Sequence, residues 1–286
     1  MVINMNTVII GLGLIGGSAA RRMHGFRNTR VIGVDLNADT LHQACAEGAI
    51  DVGYTDAEAV VQDADFILLC LYPEKNVEFV KKYRSKFKKG AVISDVSGVK
   101  GYVLSEIEQW IPEGVSFVGG HPMAGREVGG YAGSTDTLFD GASYLITPGK
   151  TSSPEAVELV REYAKHIGCR RVVETTPEEH DEMIAYTSQL MHVVAIALCN
   201  HPLLKKSAKF SAGSLRDCTR IAVLNEVMWS ELFLENRDAL IGRISEFEAC
   251  LDQVKTALIK EDRTALETLM KQATKQKLTW LREKNK

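Results

Sequence analysis

The chain has 286 residues, of which 45% are hydrophobic and 25% charged; this excludes a disordered or fibrous chain and a disulfide-stapled miniprotein, and leaves one large domain or two. Its 34 Lys+Arg against 37 Asp+Glu give a formal net charge of -3, so no overall basic field exists to hold nucleic acid or an anionic membrane surface, and the expected partners are small molecules or copies of the chain. The six cysteines (Cys45, Cys70, Cys169, Cys199, Cys218, Cys250) show no C-x-x-C pair and no zinc-like spacing, which fits reduced thiols in the cytosol and no bound metal.

The apolar start at 8–20 imitates a signal-peptide core, but residues 1–20 hold no Lys or Arg and four glycines break the run, so secretion is not expected. No stretch reaches the ~20 apolar residues expected of a membrane helix. Up to about residue 176, short runs rich in Val, Ile or Leu (7–10, 30–34, 66–71, 91–96, 115–118, 143–146 and 171–173) alternate with helical patterns. That alternation predicts an α/β domain over 1–176, a mostly parallel sheet wrapped by helices.

From Pro177 the pattern turns helical, which predicts a second, all-helical domain over 177–286. Pro at the first helical position and acids in the first turn predict one helix over 177–199, followed by a link at 201–212. Met228, Leu232, Leu240, Ile244, Phe247, Leu251, Val254 and Leu258, at spacings of three, four or eight, predict a long helix over 226–260. With Trp229, Phe233 and Leu234 added, this exceeds what a small helical domain buries by itself and predicts a homodimer. Residues 271–286 read as a basic, solvated helix tail.

Gly11-Leu12-Gly13-Leu14-Ile15-Gly16 follows the first run and opens a helix. Glycines there permit a tight turn, close approach of the backbone to a pyrophosphate, and packing of the helix on the sheet. Asp35 ends the second run, 19 residues after Gly16, where a carboxylate accepts hydrogen bonds from a ribose 2'-hydroxyl and repels a 2'-phosphate. No Arg follows at 36–38, so NAD is expected over NADP.

His121 follows the fifth run, at the carboxyl edge where open parallel sheets bind ligands. A neutral imidazole there suits a base that takes a hydroxyl proton while hydride leaves the same carbon; the alternative is a loop histidine that fixes the turn beside Pro122. Ser188 and His192 are four apart on the helix after Pro177 and share a face with His180 and Ile184; the spacing offers no metal geometry, and His192 also reads as a buried core histidine. Gly213, Asp217 and Arg220 share a helical face, where an Arg held by an Asp grips a carboxylate or simply forms a surface ion pair.

Combined in order with Asp95-Val96-Ser97-Gly98-Val99-Lys100, His121-Pro122-Met123-Ala124-Gly125-Arg126-Glu127, Ser188-Gln189-Leu190-Met191-His192, and Arg216-Asp217-Cys218-Thr219-Arg220 followed by Met228-Trp229, the glycine fingerprint resembles the prephenate dehydrogenases and their arogenate-using relatives, over about residues 7–240. The resemblance implies a Rossmann-type domain followed by a helical dimerisation domain, NAD(P) as cofactor, and oxidative decarboxylation on the route to tyrosine. It implies His121 as catalytic base, His192 as a substrate-pocket histidine and Arg220 as the carboxylate-binding arginine, with Glu127 and Asp217 in an ionic network with it.

Three positions depart from that pattern. Gly98 stands where relatives often carry a pocket serine, so the hydroxyl expected to hydrogen-bond His121 either comes from the neighbouring Ser97 or is absent. Gln189-Leu190-Met191-His192 replaces a common His-x-Pro-His, and Arg126 replaces a Thr, an added cation to help bind a dicarboxylate or to face solvent. The sequence carries neither a chorismate mutase segment nor a long regulatory domain, so a single activity is expected. Two other readings share the fold. A 3-hydroxyacid dehydrogenase or imine reductase would carry a lysine base on the helix after Pro177, where none stands, and an NAD-sensing regulator would carry a basic DNA-reading module.

Overall fold

The computed structural model describes residues 5–284. Strands β1 (Met5–Ile10), β2 (Thr29–Val34), β3 (Val52–Tyr54), β4 (Phe66–Leu69), β5 (Val92–Asp95), β6 (Ser116–Pro122), β7 (Ser143–Pro148) and β8 (Arg171–Glu174) form one sheet in the order β3-β2-β1-β4-β5-β6-β7-β8. Every neighbouring pair is parallel except β6 with β7. Helices α1 (Leu14–Met23), α2 (Ala38–Ala46), α3 (Pro73–Tyr83), α4 (Gly101–Ile107) and α5 (Pro154–His166) connect the strands. The chain order reverses at β1, between β2 and β4, which opens a crevice at the carboxyl ends of β1 and β4.

Both faces of the sheet are buried, and the period of two along each strand divides its apolar side chains between them. Ile9, Phe66 and Leu68 join one core with Tyr144 and Tyr163, whereas Val8, Ile10, Ile67 and Leu69 join the other with Val80 and Phe117. Strand β3 was not expected: it is a three-residue edge strand of half-buried residues with too few alternations to show in the sequence. Strand β6 is longer than the expected run at 115–118. Antiparallel pairing with β7 carries the strand on to Pro122, so His121, placed opposite Leu145, lies on a strand rather than in a loop.

The compact unit that holds the sheet runs to Arg237, and the chain from Asp238 forms a second unit. The reason lies in α6 (Pro177–Ile184), which is tied to the sheet layer. Asp181 caps α4, its Oδ1 accepting from Lys100 N and its Oδ2 from Gly101 N, both at 2.8 Å. The helix expected over 177–199 is three pieces: α6, a π turn at Ala185–Gln189, and α7 (Leu190–Asn200). Contrary to the expectation that no stretch is apolar enough, the run Pro177–Asn200 reaches by length and composition the hydropathy of a bilayer-crossing helix, a mean of 1.3, although His180, Asp181 and Gln189 are buried within it.

The expected link at 201–212 contains a short helix, α8 (Leu204–Ser207), and is followed by α9 (Gly213–Thr219). The helix expected over 226–260 is broken into α10 (Glu226–Glu235) and α11 (Arg237–Ile259). Asn236 breaks it: the residue is buried with φ -110 and ψ 26, and its Nδ2 donates to Asp181 O at 2.9 Å and to Gln189 Oε1 at 2.7 Å. In the second unit, α11 is followed by a turn through Glu261 (φ 50) and by α12 (Arg263–Lys284), opened by Asp262, whose Oδ1 accepts from Ala265 N at 2.9 Å. Leu251, Val254, Leu258, Met270, Leu278 and Trp280 are exposed on these two helices.

Candidate active site

At the sheet's switch point, the turn from β1 into α1 is shaped by its glycines. Gly11 has φ +88, and a Cβ on Gly16 would lie 1.9 Å from Gly11 O, so neither position accepts a side chain. Gly13 differs: a Cβ there would meet nothing within 4 Å, and the space over it is open to a ligand. It caps α1 without any side-chain hydrogen bond, and the first turn holds no acid, so the amides at the helix start face outward with their partial positive charge. Leu14 and Ile15 form that first turn, with Ile15 packed against the core. Asp35 is held against the same turn, its Oδ2 accepting from Leu12 N at 2.8 Å and its Oδ1 from Asn37 N at 2.9 Å. The cradle fits a dinucleotide: the open space over Gly13 and the outward amides of the α1 start suit a phosphate group, and the Asp35 carboxylate lies beside the same turn.

Two strands away, β5 ends in Asp95, and the segment after it carries a buried ion pair. Lys100 Nζ lies 2.5 Å from Asp95 Oδ2, both side chains being 0% exposed. The same carboxylate accepts from Ser97 N at 2.9 Å and, across to β6, from Gly120 N at 3.1 Å. It thus fixes the β5 loop and the strand residue just before His121. The His121 ring is partly buried, with Nδ1 2.9 Å from His180 Nε2, and His180 Nδ1 lies 2.7 Å from Asp181 Oδ1. Burial first, then His180 and the Lys100 ammonium, hold the His121 pKa well below its ordinary 6.5, so the imidazole is neutral at physiological pH.

Ser97 does not serve His121 here. Its buried hydroxyl accepts from Asn76 Nδ2 at 3.1 Å, which ties the loop to α3. The position aimed at the ring is Gly98, where a Cβ would lie 4.0 Å from His121 Cε1 and 3.6 Å from Leu232 Cδ2. The hydroxyl assigned to Ser97 from sequence is therefore directed elsewhere, because consecutive residues point in different directions.

The π turn separates residues expected to share a face, since its extra residue rotates α7 relative to α6. His180 reaches His121, whereas His192 stacks on Trp229 with ring centroids 3.7 Å apart, its Nδ1 held by Ser188 O at 3.0 Å. Burial lowers the His192 pKa. Gln189, one of the departures from the family pattern, is buried and structural: its Nε2 donates to Leu232 O at 3.1 Å and its Oε1 accepts from Asn236.

Arg220 lies just beyond α9 and forms an ion pair with Glu127, from the loop after β6, both side chains being well exposed. Asp217 pairs instead with its neighbour Arg216, at 3.5 Å, both side chains being still more exposed. Of the three residues of the expected network, the structure thus joins Arg220 to Glu127 and places Asp217 against Arg216. Gly213, where a Cβ would stand 3.8 Å from Asp217 Oδ2, starts α9, and Arg126 is exposed.

Asp181 and Lys100 were not among the expected site residues, and His180 had no expected role. Adjacent helical residues do not normally face each other, so His180-Asp181 gave no pairing signal; an acid at 95 followed by a lysine at 100 was visible only as part of a motif.

A nucleotide cradle at the switch point of a mostly parallel sheet, with a neutral imidazole three strands along from β1 on β6, defines the class: a dinucleotide-dependent oxidoreductase. Residues 18–173 match the family model described as prephenate dehydrogenase, nucleotide-binding domain, and residues 176–272 the model described as prephenate dehydrogenase, dimerization domain. The chain belongs to the prephenate dehydrogenase family. It is 32% identical to the prephenate dehydrogenase of Bacillus subtilis over 89% of this chain and 70% of that one, and 31% identical to the cyclohexadienyl dehydrogenase of Zymomonas mobilis over 97% of each. The crystal structure of prephenate dehydrogenase from A. aeolicus in complex with hydroxyphenyl propionate and NAD+ superposes with a TM-score of 0.86, at 30% identity, covering 98% of this chain and 99% of that one.

Proposed function

We propose that this chain catalyses the NAD-dependent oxidative decarboxylation of prephenate to 4-hydroxyphenylpyruvate, with His121 as the base. The observation that carries the reading is the neutral imidazole of His121 at the end of β6, with no side chain at Gly98 set against its Cε1 edge. Bound NAD supplies the hydride acceptor. His121 takes the proton of the hydroxyl on ring C4 as hydride leaves that carbon. Loss of carbon dioxide then makes the ring aromatic, and His121 returns its proton to the phenolate oxygen, so no net proton is released. Residues 11–16 hold the pyrophosphate and Asp35 the ribose, which favours NAD over NADP. Arg220 exchanges Glu127 for a substrate carboxylate, with Ser188, His192 and Arg126 toward the side chain and Asp217 and Gly213 supporting that wall.

The B. subtilis relative's name supports prephenate, and the broader name of the Z. mobilis relative supports acceptance of arogenate as well. NADH formation with each of the two substrates, and with NAD and NADP in parallel, tests the reading. No turnover of either substrate would refute it, and His121→Asn should lower turnover by ~100-fold while leaving NAD affinity unchanged. We also infer a cytosolic homodimer assembled through residues 177–286, supported by the dimerization-domain match and the apolar side chains exposed along α7, α11 and α12. Sedimentation at twice the 31.5 kDa chain mass checks it, and a monomer at micromolar concentration would contradict it.

A further inference from the structure

His121, His180 and Asp181 form a line of hydrogen bonds, and the proposed chemistry uses only its first member. Protons can be assigned along this line from the far end. Asp181 carboxylate oxygens have no hydrogen to give, so at 2.7 Å the Nδ1 proton belongs to His180. The neutral His180 ring then has its lone pair on Nε2. The 2.9 Å contact with His121 Nδ1 is a hydrogen bond only if that nitrogen carries the proton. His121 Nε2 is left with the free lone pair, the atom a base needs.

We propose that His180 and Asp181 are positioning residues, which lock His121 in its Nδ1–H tautomer and so keep Nε2 as the proton acceptor; the proposal rests on the reading of His121 as the base. The opposite tautomer of His180 would set a lone pair on its Nδ1 against the Asp181 carboxylate, in a place where the histidine is 1% exposed. Asp181 cannot easily turn away, since its two oxygens also accept from Lys100 N and Gly101 N at the start of α4. The charged and titratable groups around the line are Asp181 on α6, Asp95 on β5 and Lys100 before α4. The last two neutralise each other at 2.5 Å, leaving the Asp181 carboxylate as the charge that orders the protons. Burial lowers the pKa of both rings, so each keeps a single proton to be placed.

Long-range 15N–1H correlation spectra of the full-length protein at about pH 8 report the tautomer of each ring without turnover. The expected result is Nδ1–H at His121 in the wild type. His180→Gln keeps a carbonyl to accept the His121 proton and should hold kcat within about threefold, whereas His180→Leu should lose ~100-fold in kcat with KM and NAD affinity nearly unchanged. Asp181→Asn should shift His121 toward the Nε2–H form with a similar loss; the two His180 variants decide the matter if that protein fails to fold. Nε2–H at His121 in the wild type would overturn the proposal. So would His180→Leu turning over at the wild-type rate while His121→Asn is inactive. Wild-type turnover by His121→Asn would instead sink the base reading, a failure separable from the spectral result.

Discussion

The ion pair of Lys100 with Asp95 is the most demanding interaction in the sheet unit, and removing one partner should be far costlier than removing both. Both side chains are 0% exposed, and Asp95 also accepts from Ser97 N at 2.9 Å and Gly120 N at 3.1 Å. In Lys100→Met those two amides remain but the cation is gone, and a lone buried carboxylate costs about 3–5 kcal/mol. Asp95→Asn leaves the ammonium unpaired and turns an amide NH2 toward at least one backbone N–H, adding about 1–3 kcal/mol for the mismatch. The double variant carries only that second cost. It should be more stable than Asp95→Asn alone by about 2 kcal/mol or more, a strong departure from additivity. With a urea slope of ~3 kcal/mol per molar for a unit of this size, a loss of about 4 kcal/mol lowers the midpoint by ~1.3 M. Circular dichroism along a urea titration of the wild type and three variants reads this directly. If the two single effects simply add, or if Lys100→Met leaves the midpoint in place, the pair is not the charge-compensated core element described here.

Other consequences are open to direct measurement. Asp35→Ser should relax the preference for NAD, since it removes the like charge a 2'-phosphate would meet; equal use of NADP by the wild type would sink the Asp35 assignment. Gly98→Ser fits, because a Cβ there makes only ordinary contacts of 3.6 Å and beyond, and it should bring a hydroxyl beside His121 and raise kcat, whereas Ser97→Ala should act mainly on stability by releasing Asn76; the reverse pattern in steady-state kinetics and urea midpoints would restore Ser97 to the chemistry. The pH dependence of stability has two limbs. His121, His180 and His192 have folded pKa values below 6.5, so the unfolded chain binds protons that the fold refuses and stability falls as pH drops below about 6.5, by at most ~1.4 kcal/mol per pH unit for each ring. Glu235 acts in the opposite sense. Both its oxygens are buried without a hydrogen-bond partner among the described residues, and burial, then Glu231 and Glu74, raise its pKa to about 8, so its contribution is lost as pH rises from about 4.5 to that value. Urea midpoints measured across this range should therefore peak near neutrality, and Glu235→Gln should flatten the alkaline limb; an unchanged limb would remove Glu235 from the account.

Much of the frame was legible in the sequence because it depends on local rules. Alternating apolar runs became strands with their side chains divided between two faces, the glycines at 11–16 became a turn that two of them must make, and Asp35 arrived beside it because a strand's length fixes where its acid falls. Proline at 177 did open a helix. The features that escaped prediction were decided by partners distant in the chain. His121 joined a strand because β7 pairs with it, and the helix over 226–260 broke at Asn236 because that side chain satisfies Asp181 and Gln189. His121 met His180 across 59 positions because the cap on α4 anchors the helix that carries His180, while the π turn swings His192 away. Sequence by itself determined which residues could do chemistry and the elements that would carry them, since periodicity and turn chemistry act over a few residues. Only the tertiary structure decided which of them touch, because a hydrogen bond is directional and short, and whether a side chain makes one depends on rotations and registers summed over the whole fold.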